Sequence, residues 1–445
     1  MATYLTKLGI TNLKGFKNPQ TFNLRPLTVL CGANSSGKST VLQTLLLLKK
    51  TLMSGDVNTP LLLNSIFPYC DSLSSIANVP GQIEPVGIQF SFSNGMSFEY
   101  KFIQGEKNIQ IKQLHICDGK ECRDIVLTDG YKCLTKLSTP IKLPNGTDLS
   151  VEEKNYTVKF DRFIPSGFIL SEGKNSYLIP NRYIFKTSGE KAIIEAVEFL
   201  KNIAYSAPIR STEVGAPQPV NAEASFLADD GANIPAFLGK NNEMQVTYDN
   251  KTEPLKTAIN RALSTLGLEQ PVTSTKIADN LYQIEVSKVA AHTEQKLKLS
   301  DVGFGYSQVL PVVTKIITAQ ENTLTLLEQP EVHLHPNASA KLAEVILGCI
   351  GGQRHFLVET QSQEFIQTLA LMVLQKTELK DAINIIFTER TESGDTVARE
   401  LTIDECGSMS TWPMGFCDSF ENITKRVLEE QIKKANADSH NGSKT

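Results

Sequence analysis

The sequence predicts an α/β protein in which a phosphate-binding core is joined to an antiparallel β-rich part. Three observations carry this. A glycine-rich loop near residue 32 lies between an apolar strand-like run and an apolar helix-like run. Residues 88–168 alternate apolar and polar positions between turn residues. Beyond residue 300, short buried strands alternate with helical spacing.

In chain order, residues 4–11 and 20–24 read as strands. Leu27-Thr28-Val29-Leu30-Cys31 is apolar and β-branched, and residues 41–48 follow as a helix. Residues 88–92, 97–103 and 109–116 have the two-residue period of hairpin strands. This style continues over 125–168, with Asn145-Gly146 as a turn. Residues 192–204 switch to helical spacing through Ile193, Ile194, Val197, Leu200 and Ile203, and 257–266 also reads as a helix. Residues 281–289 and 295–299 return to strand. Further on, 309–317 and 339–347 read as helices, and 324–327, 354–358 and 383–387 as strands. No heptad pattern runs between the glycine loop and residue 300, so no long coiled coil is expected. Residues 435–445 are polar and are expected to be disordered.

The 445 residues allow two or three domains. With 21% charged and 41% hydrophobic residues and a net charge of −4, the composition is that of an ordinary globular protein. It provides no global attraction for nucleic acid. No apolar run is long enough to span a bilayer. No leader is visible at Met1, so a cytoplasmic setting is expected, with the eight cysteines reduced. Cys117, Cys122 and Cys133 lie close together near His115, but no C-x₂-C pair occurs. They read as ordinary thiols rather than metal ligands.

Gly32-Ala33-Asn34-Ser35-Ser36-Gly37-Lys38-Ser39-Thr40 fits G-x-x-x-x-G-K-[ST], the P-loop. Strand before and helix after are its confirming context. Backbone amides and the helix N-terminus would face phosphates, and Lys38 would add a charge. The Ser39 hydroxyl would sit on Mg²⁺, and a nucleoside triphosphate such as ATP is the implied ligand.

Two further segments narrow the class. Leu324-Thr325-Leu326-Leu327-Glu328 is an apolar strand ending in a carboxylate that would hold Mg²⁺ beside Ser39. The next position, where a hydrolytic ATPase keeps a water-activating acid, holds Gln329. An amide orients water but takes no proton, which leaves Glu331 as the nearby acid. His333 and His335 read as loop packing rather than metal ligands. The other segment, Val302-Gly303-Phe304-Gly305-Tyr306-Ser307, precedes an apolar helix and offers a second phosphate cradle through Gly303, Gly305 and Ser307. One chain needs one cradle, so this one is expected to act in trans on ATP held by a second copy.

The order of P-loop, glycine-serine signature and strand-acid-proline, with a large insertion before the signature, resembles an ABC-type ATPase head. Val302 through Pro311 and Glu328 through Pro336 resemble most closely a bacterial group of AAA-family ATPases in the SMC/RecF/OLD-like branch. Tyr205-Ser206-Ala207-Pro208-Ile209-Arg210 and Trp412-Pro413-Met414-Gly415-Phe416 match that group's Tyr-x-x-Pro-x-Arg and Trp-Pro-x-Gly-Phe stretches. Residues 100–190 and 211–298 match weakly or not at all. The resemblance implies an ATPase head in two halves, 1–100 and 299–434, around a mixed α/β insertion at 101–298. One departure is Glu359-Thr360-Gln361-Ser362, where the family has Glu-Thr-His-Ser. Gln361 then replaces the histidine that approaches the γ-phosphate. With Gln329 it makes slow hydrolysis the expectation.

The resemblance also implies a dimer, or a higher oligomer, closed around ATP. Many members of the branch act in anti-phage defence or DNA maintenance. No Toprim nuclease pattern follows residue 362. The leading expectation is therefore a sensor and scaffold for a separately encoded effector, a nuclease. A RecF-like DNA-repair ATPase is the alternative, with Lys49, Lys50, Lys107, Lys112 and Lys132 as candidate DNA contacts. A transporter ATPase subunit fits less well, since Leu-Ser-Gly-Gly-Gln is missing. A small-molecule kinase is the fallback on Lys38 and Ser39 alone.

Overall fold

Burial pattern separates two kinds of sheet. Leu5–Thr11 (β1), Gln20–Asn23 (β2) and Leu27–Gly32 (β3) open the chain, and Lys38–Met53 (α1) follows. Every position of β3 is buried, as a strand covered on both faces requires. By contrast Val86–Phe92 (β4), Met96–Gln104 (β5) and Ile109–Asp118 (β6) alternate buried and accessible residues for most of their length. Together with Cys122–Val126 (β7) they form an antiparallel sheet in the order β2-β1-β4-β5-β6-β7. Its covered face is aromatic, with Phe90 and Phe98 ring centroids 5.0 Å apart and those of Tyr100 and Phe102 5.4 Å apart. The structure is a computed structural model describing residues 3–78, 84–106, 108–143, 148–172, 175–211, 216–219, 225–290, 293–302, 304–404 and 406–410.

The second sheet has the strand order Ala204–Ser206, Thr323–Glu328, Arg354–Glu359, β3, Ile383–Arg390, Thr396–Leu401. The first five run parallel and the last returns antiparallel. Parallel strands bring their C-terminal ends to one edge, where ligands of such sheets bind. Here the register sets Glu328 beside Glu359, and Glu359 beside Leu30. Helices α1, Pro336–Leu347 and Gln363–Gln375 begin at this edge. The alternation of β3 connects the two cores. Leu30 packs with α1 and the antiparallel sheet, while Leu27, Val29 and Cys31 pack with the C-terminal half.

The inserted region holds an antiparallel sheet of Lys132–Lys136, Glu153–Asp161, Ile164–Glu172 and Asn175–Ile179, followed by Asn181–Lys201 (α2). Residue 100, the expected division, lies inside β5, and β6 and β7 continue the same sheet. Among the described residues, α2 is the longest helix, at 21 residues, and it is interrupted at Lys186. Among these residues no coiled-coil arm is present and no helix is long and apolar enough to cross a membrane. The turn at Asn145-Gly146 and residues 435–445 lie outside the described residues.

Two expectations require correction. The helix expected over 192–204 begins at Asn181 and ends at Lys201, and Ala204–Ser206 is an outer strand of the parallel sheet. The polar stretch from Lys186 to Lys191 interrupts the helical period, and the apolar end of the helix conceals the switch to strand. Nor are all cysteines separate thiols: Cys117 and Cys122 form a disulfide, because they are cross-strand partners at the closed end of the β6–β7 hairpin.

His355 in the Arg354–Glu359 strand is buried and stacks on Tyr4, with ring centroids 4.5 Å apart. Burial lowers its pKa to about 4. An unfolded chain protonates this group near 6.5, so between those values only the unfolded state takes up the proton. Stability should fall as pH drops through that window, by up to about 3 kcal/mol, and be unaffected by this group above it. His355→Phe retains the stacking and should flatten this part of the acid slope in urea unfolding. An unchanged slope would assign the acid sensitivity to other groups.

Candidate nucleotide site

The P-loop is shaped by two glycines. At Gly32, φ is +141° and an added Cβ would lie 2.1 Å from the Thr388 carbonyl oxygen, so no side chain fits. At Gly37, φ is +91° and a Cβ would press on Phe16 and Thr396 at 3.0 Å. Between them Ala33, Asn34 and Ser35 are exposed. Ser36 is buried, its Oγ 2.7 Å from Thr388 Oγ1, and Arg390 Nε donates to the Ser35 carbonyl at 3.0 Å. The strand Ile383–Arg390 thus forms one wall of the loop. Gly37 is the N-cap of α1 and no side chain caps that end, which leaves early amides available to an anion.

Lys38 lies across the loop, its ammonium donating to the carbonyls of Gly32 at 3.0 Å and Ala33 at 2.7 Å. Burial lowers its pKa, opposed first by the Glu359 carboxylate. Thr40 is buried in the first turn of α1. Ser39 Oγ donates to Glu359 Oε1 at 2.8 Å. Glu359 is 1% exposed, and its Oε2 has no hydrogen-bond partner among the described residues. Burial raises its pKa to about 7 against the lowering effect of the Ser39 hydrogen bond, and Glu328 raises it further.

Glu328 ends its strand with Oε2 accepting a 2.5 Å hydrogen bond from Tyr205 Oη. That phenol is held protonated, by burial first and by Glu328 second. Gln329 follows at φ +44°, its N–H donating to the Glu359 carbonyl at 2.8 Å. Its own carbonyl accepts from Arg210 Nη2 at 3.1 Å. Arg210 is buried, which lowers its pKa to about 10 against the pull of Glu331. Glu331 Oε1 accepts from Thr360 Oγ1 at 2.6 Å and from the Gln361 amide at 2.9 Å, while its Oε2 has no partner among the described residues. The Gln361 side chain belongs to an exposed residue. His335 caps the helix Pro336–Leu347, its Nδ1 accepting from Asn337 N at 3.4 Å, and His333 is exposed.

The strand ends therefore bring Lys38, Ser39, Glu328, Gln329, Glu331 and Gln361 to one edge. Gly305 and Ser307 open a separate helix, Phe304–Ile317, which packs on Leu255–Thr265. Gly303 and the segment Trp412 to Phe416 lie outside the described residues.

A family model for the AAA ATPase domain matches residues 4–214 and 217–368. The chain belongs to the AAA ATPase domain family. No curated protein matches it. Similar solved structures include an Smc head bound to the C-winged helix domain of ScpA, at 11% identity and a TM-score of 0.47, covering 90% of this chain and 98% of that one. An SMC head domain from Thermotoga maritima has 11% identity and a TM-score of 0.38, covering 89% and 98%. An Smc head domain with an extended coiled coil, bound to the C-terminal domain of ScpA and derived from Pyrococcus furiosus, has 10% identity and a TM-score of 0.42, covering 96% and 100%.

In this AAA ATPase, sequence reasoning left out three residues of the site. Glu359 carried a signal, since it ends an apolar strand in the same way as Glu328. Tyr205 and Arg210 stood in a recognised stretch, but only the parallel pairing of Ala204–Ser206 with Thr323–Glu328 shows what they touch.

Proposed function

We propose that this chain binds ATP with Mg²⁺, hydrolyses it slowly, and closes into a dimer around the nucleotide as sensor and scaffold for a separate effector, a nuclease in anti-phage defence. The observation that carries the nucleotide reading is the convergence of Lys38, Ser39, Glu328 and Glu359 at one sheet edge. The chemistry of the donors fits a phosphate-bound cation. Glu359 Oε2 is a buried carboxylate oxygen with no hydrogen-bond partner among the described residues, and Ser39 Oγ donates to the other oxygen of the same carboxylate. Ser39 and Glu328 would hold the cation, which when bound neutralises phosphate charge. Gly32, Asn34, Ser35, Ser36, Gly37 and Thr40 supply the loop, and Lys38 would exchange its two carbonyl partners for phosphate oxygens.

Slow turnover is supported by the groups beside that cradle. Gln329 stands where a base is needed, Gln361 is an amide, and Glu331 already accepts two hydrogen bonds from the next loop. The DNA reading has weaker support. Lys49 donates to the Ile203 carbonyl instead of facing solvent, and Lys107 lies outside the described residues.

The signature is the part that requires a second copy. A Cβ built on Gly305 meets nothing within 4 Å among the described residues, so a side chain there costs them little space. Gly305→Glu should therefore leave nucleotide binding by the monomer intact and abolish ATP-driven association, as should Ser307→Glu. Light-scattering mass with and without Mg-ATP, with phosphate release followed in the same samples, checks both points. Association unchanged by these variants would remove the sandwich, and a constant mass with brisk release would replace the scaffold by an ordinary P-loop enzyme.

A further inference from the structure

Away from the nucleotide edge, the β6–β7 hairpin gathers three side chains of types that can ligate a metal, His115, Cys117 and Cys122. His115 is the cross-strand partner of Asp124, and Cys117 that of Cys122. Side chains two apart in a strand share a face, so all four stand together, opposite the buried Leu114 and Ile116. Asp124 Oδ1 lies 2.7 Å from His115 Nδ1. This turns His115 Nε2 toward the sulfurs, 3.2 Å from Cys117 Sγ. Nε2 and the two Sγ atoms all lie within 4.8 Å of one another. Carboxylate, imidazole and thiolates in this arrangement are the ligand set and orienting partner of a zinc-type centre. The turn is fixed independently: the amides of Lys120 and Glu121 donate to Asp118 Oδ1 at 3.0 and 2.9 Å, and Lys186 from α2 pairs with Glu121.

We propose that the reduced hairpin binds one thiophilic divalent cation of the zinc class through Cys117 Sγ, Cys122 Sγ and His115 Nε2, with Asp124 as the residue that positions the imidazole. The disulfide is the oxidised, metal-free form of the same site. A dithiol reductant supplies the two electrons and two protons that open it, and its own sulfurs close into a disulfide. Cation uptake then releases the two thiol protons. Three protein ligands leave a fourth position for water or for a donor from a partner. The hairpin spacing Cys-x₄-Cys conceals the site in the sequence, since the pairing of β6 with β7, not a short local motif, makes the sulfurs neighbours.

The test uses the full chain, reduced with a phosphine, freed of metal without air, and titrated with Co²⁺. The expected result is one bound equivalent with thiolate-to-cobalt charge-transfer bands and tetrahedral d–d bands, bleached by zinc and absent from the oxidised protein. Cys117→Ser with Cys122→Ser should abolish the bands. Asp124→Asn, which keeps every ligand, should weaken binding about 10- to 100-fold, and His115→Gln should weaken it and alter the d–d bands. Absence of the bands from the reduced native chain overturns the proposal. So does their survival in the double serine variant, which would assign them to other cysteines. Native affinity and spectrum in His115→Gln would do the same, a variant that keeps both thiols and so removes loss of folding as an explanation. None of these readouts depends on ATP turnover.

Discussion

Glu359→Gln is expected to weaken binding of a Mn²⁺–nucleotide complex by about 10- to 100-fold while the chain stays folded. The glutamine carbonyl can still accept the hydrogen bond from Ser39, so the substitution isolates the charge. Two carboxylates, Glu328 and Glu359, occupy neighbouring strand ends. Their mutual repulsion in a buried place is a cost that a divalent cation removes. Taking away one charge should therefore stabilise the empty protein slightly and lower its affinity for the metal–nucleotide pair. Manganese titration followed by electron paramagnetic resonance, alongside thermal unfolding without ligand, measures both sides. Equal manganese affinity in the two proteins would reduce Glu359 to a structural partner of Ser39.

The second large effect is a gain. Gln329→Glu should raise phosphate release by about 10²-fold or more, the usual contribution of a positioned general base. The backbone on both sides of the side chain is already fixed, by the Glu359 carbonyl and by Arg210, so an isosteric change should leave the loop in place. A new acid beside Glu328, Glu331 and Glu359 would have a raised pKa, and the gain should be larger in alkaline than in acidic buffer. A flat rate in single-turnover measurements would mean that the site lacks more than a base.

The parts of this site that depend on local chemistry were readable from the chain. Glycines at 32 and 37, a lysine and a serine opening α1, and a strand ending at Glu328 are each decided by a few neighbouring residues. What could not be read depends on which strands lie side by side. Tyr205 reaches Glu328 from 123 residues away, because a three-residue strand joins the edge of the parallel sheet. Such a strand is too short to show a period. Helix Gln363–Gln375 is not among the elements expected from the sequence, although Ser362 caps it, accepting from Phe365 N at 3.1 Å. Cys117 and Cys122 are near each other in the sequence but read there as separate thiols, since a hairpin register and not a motif pairs them.

The loops after the two acid-bearing strands are stitched to each other: Gln329 N to the Glu359 carbonyl, and Glu331 to Thr360 and Gln361. Beyond them, Ser339 Oγ on the helix Pro336–Leu347 donates to Ser362 Oγ, the cap of Gln363–Gln375, at 2.7 Å. The pair of helices and the pair of loops thus form a single yoke. Movement of either acid is therefore expected to carry both loops and both helices together, since each loop is tied to the other.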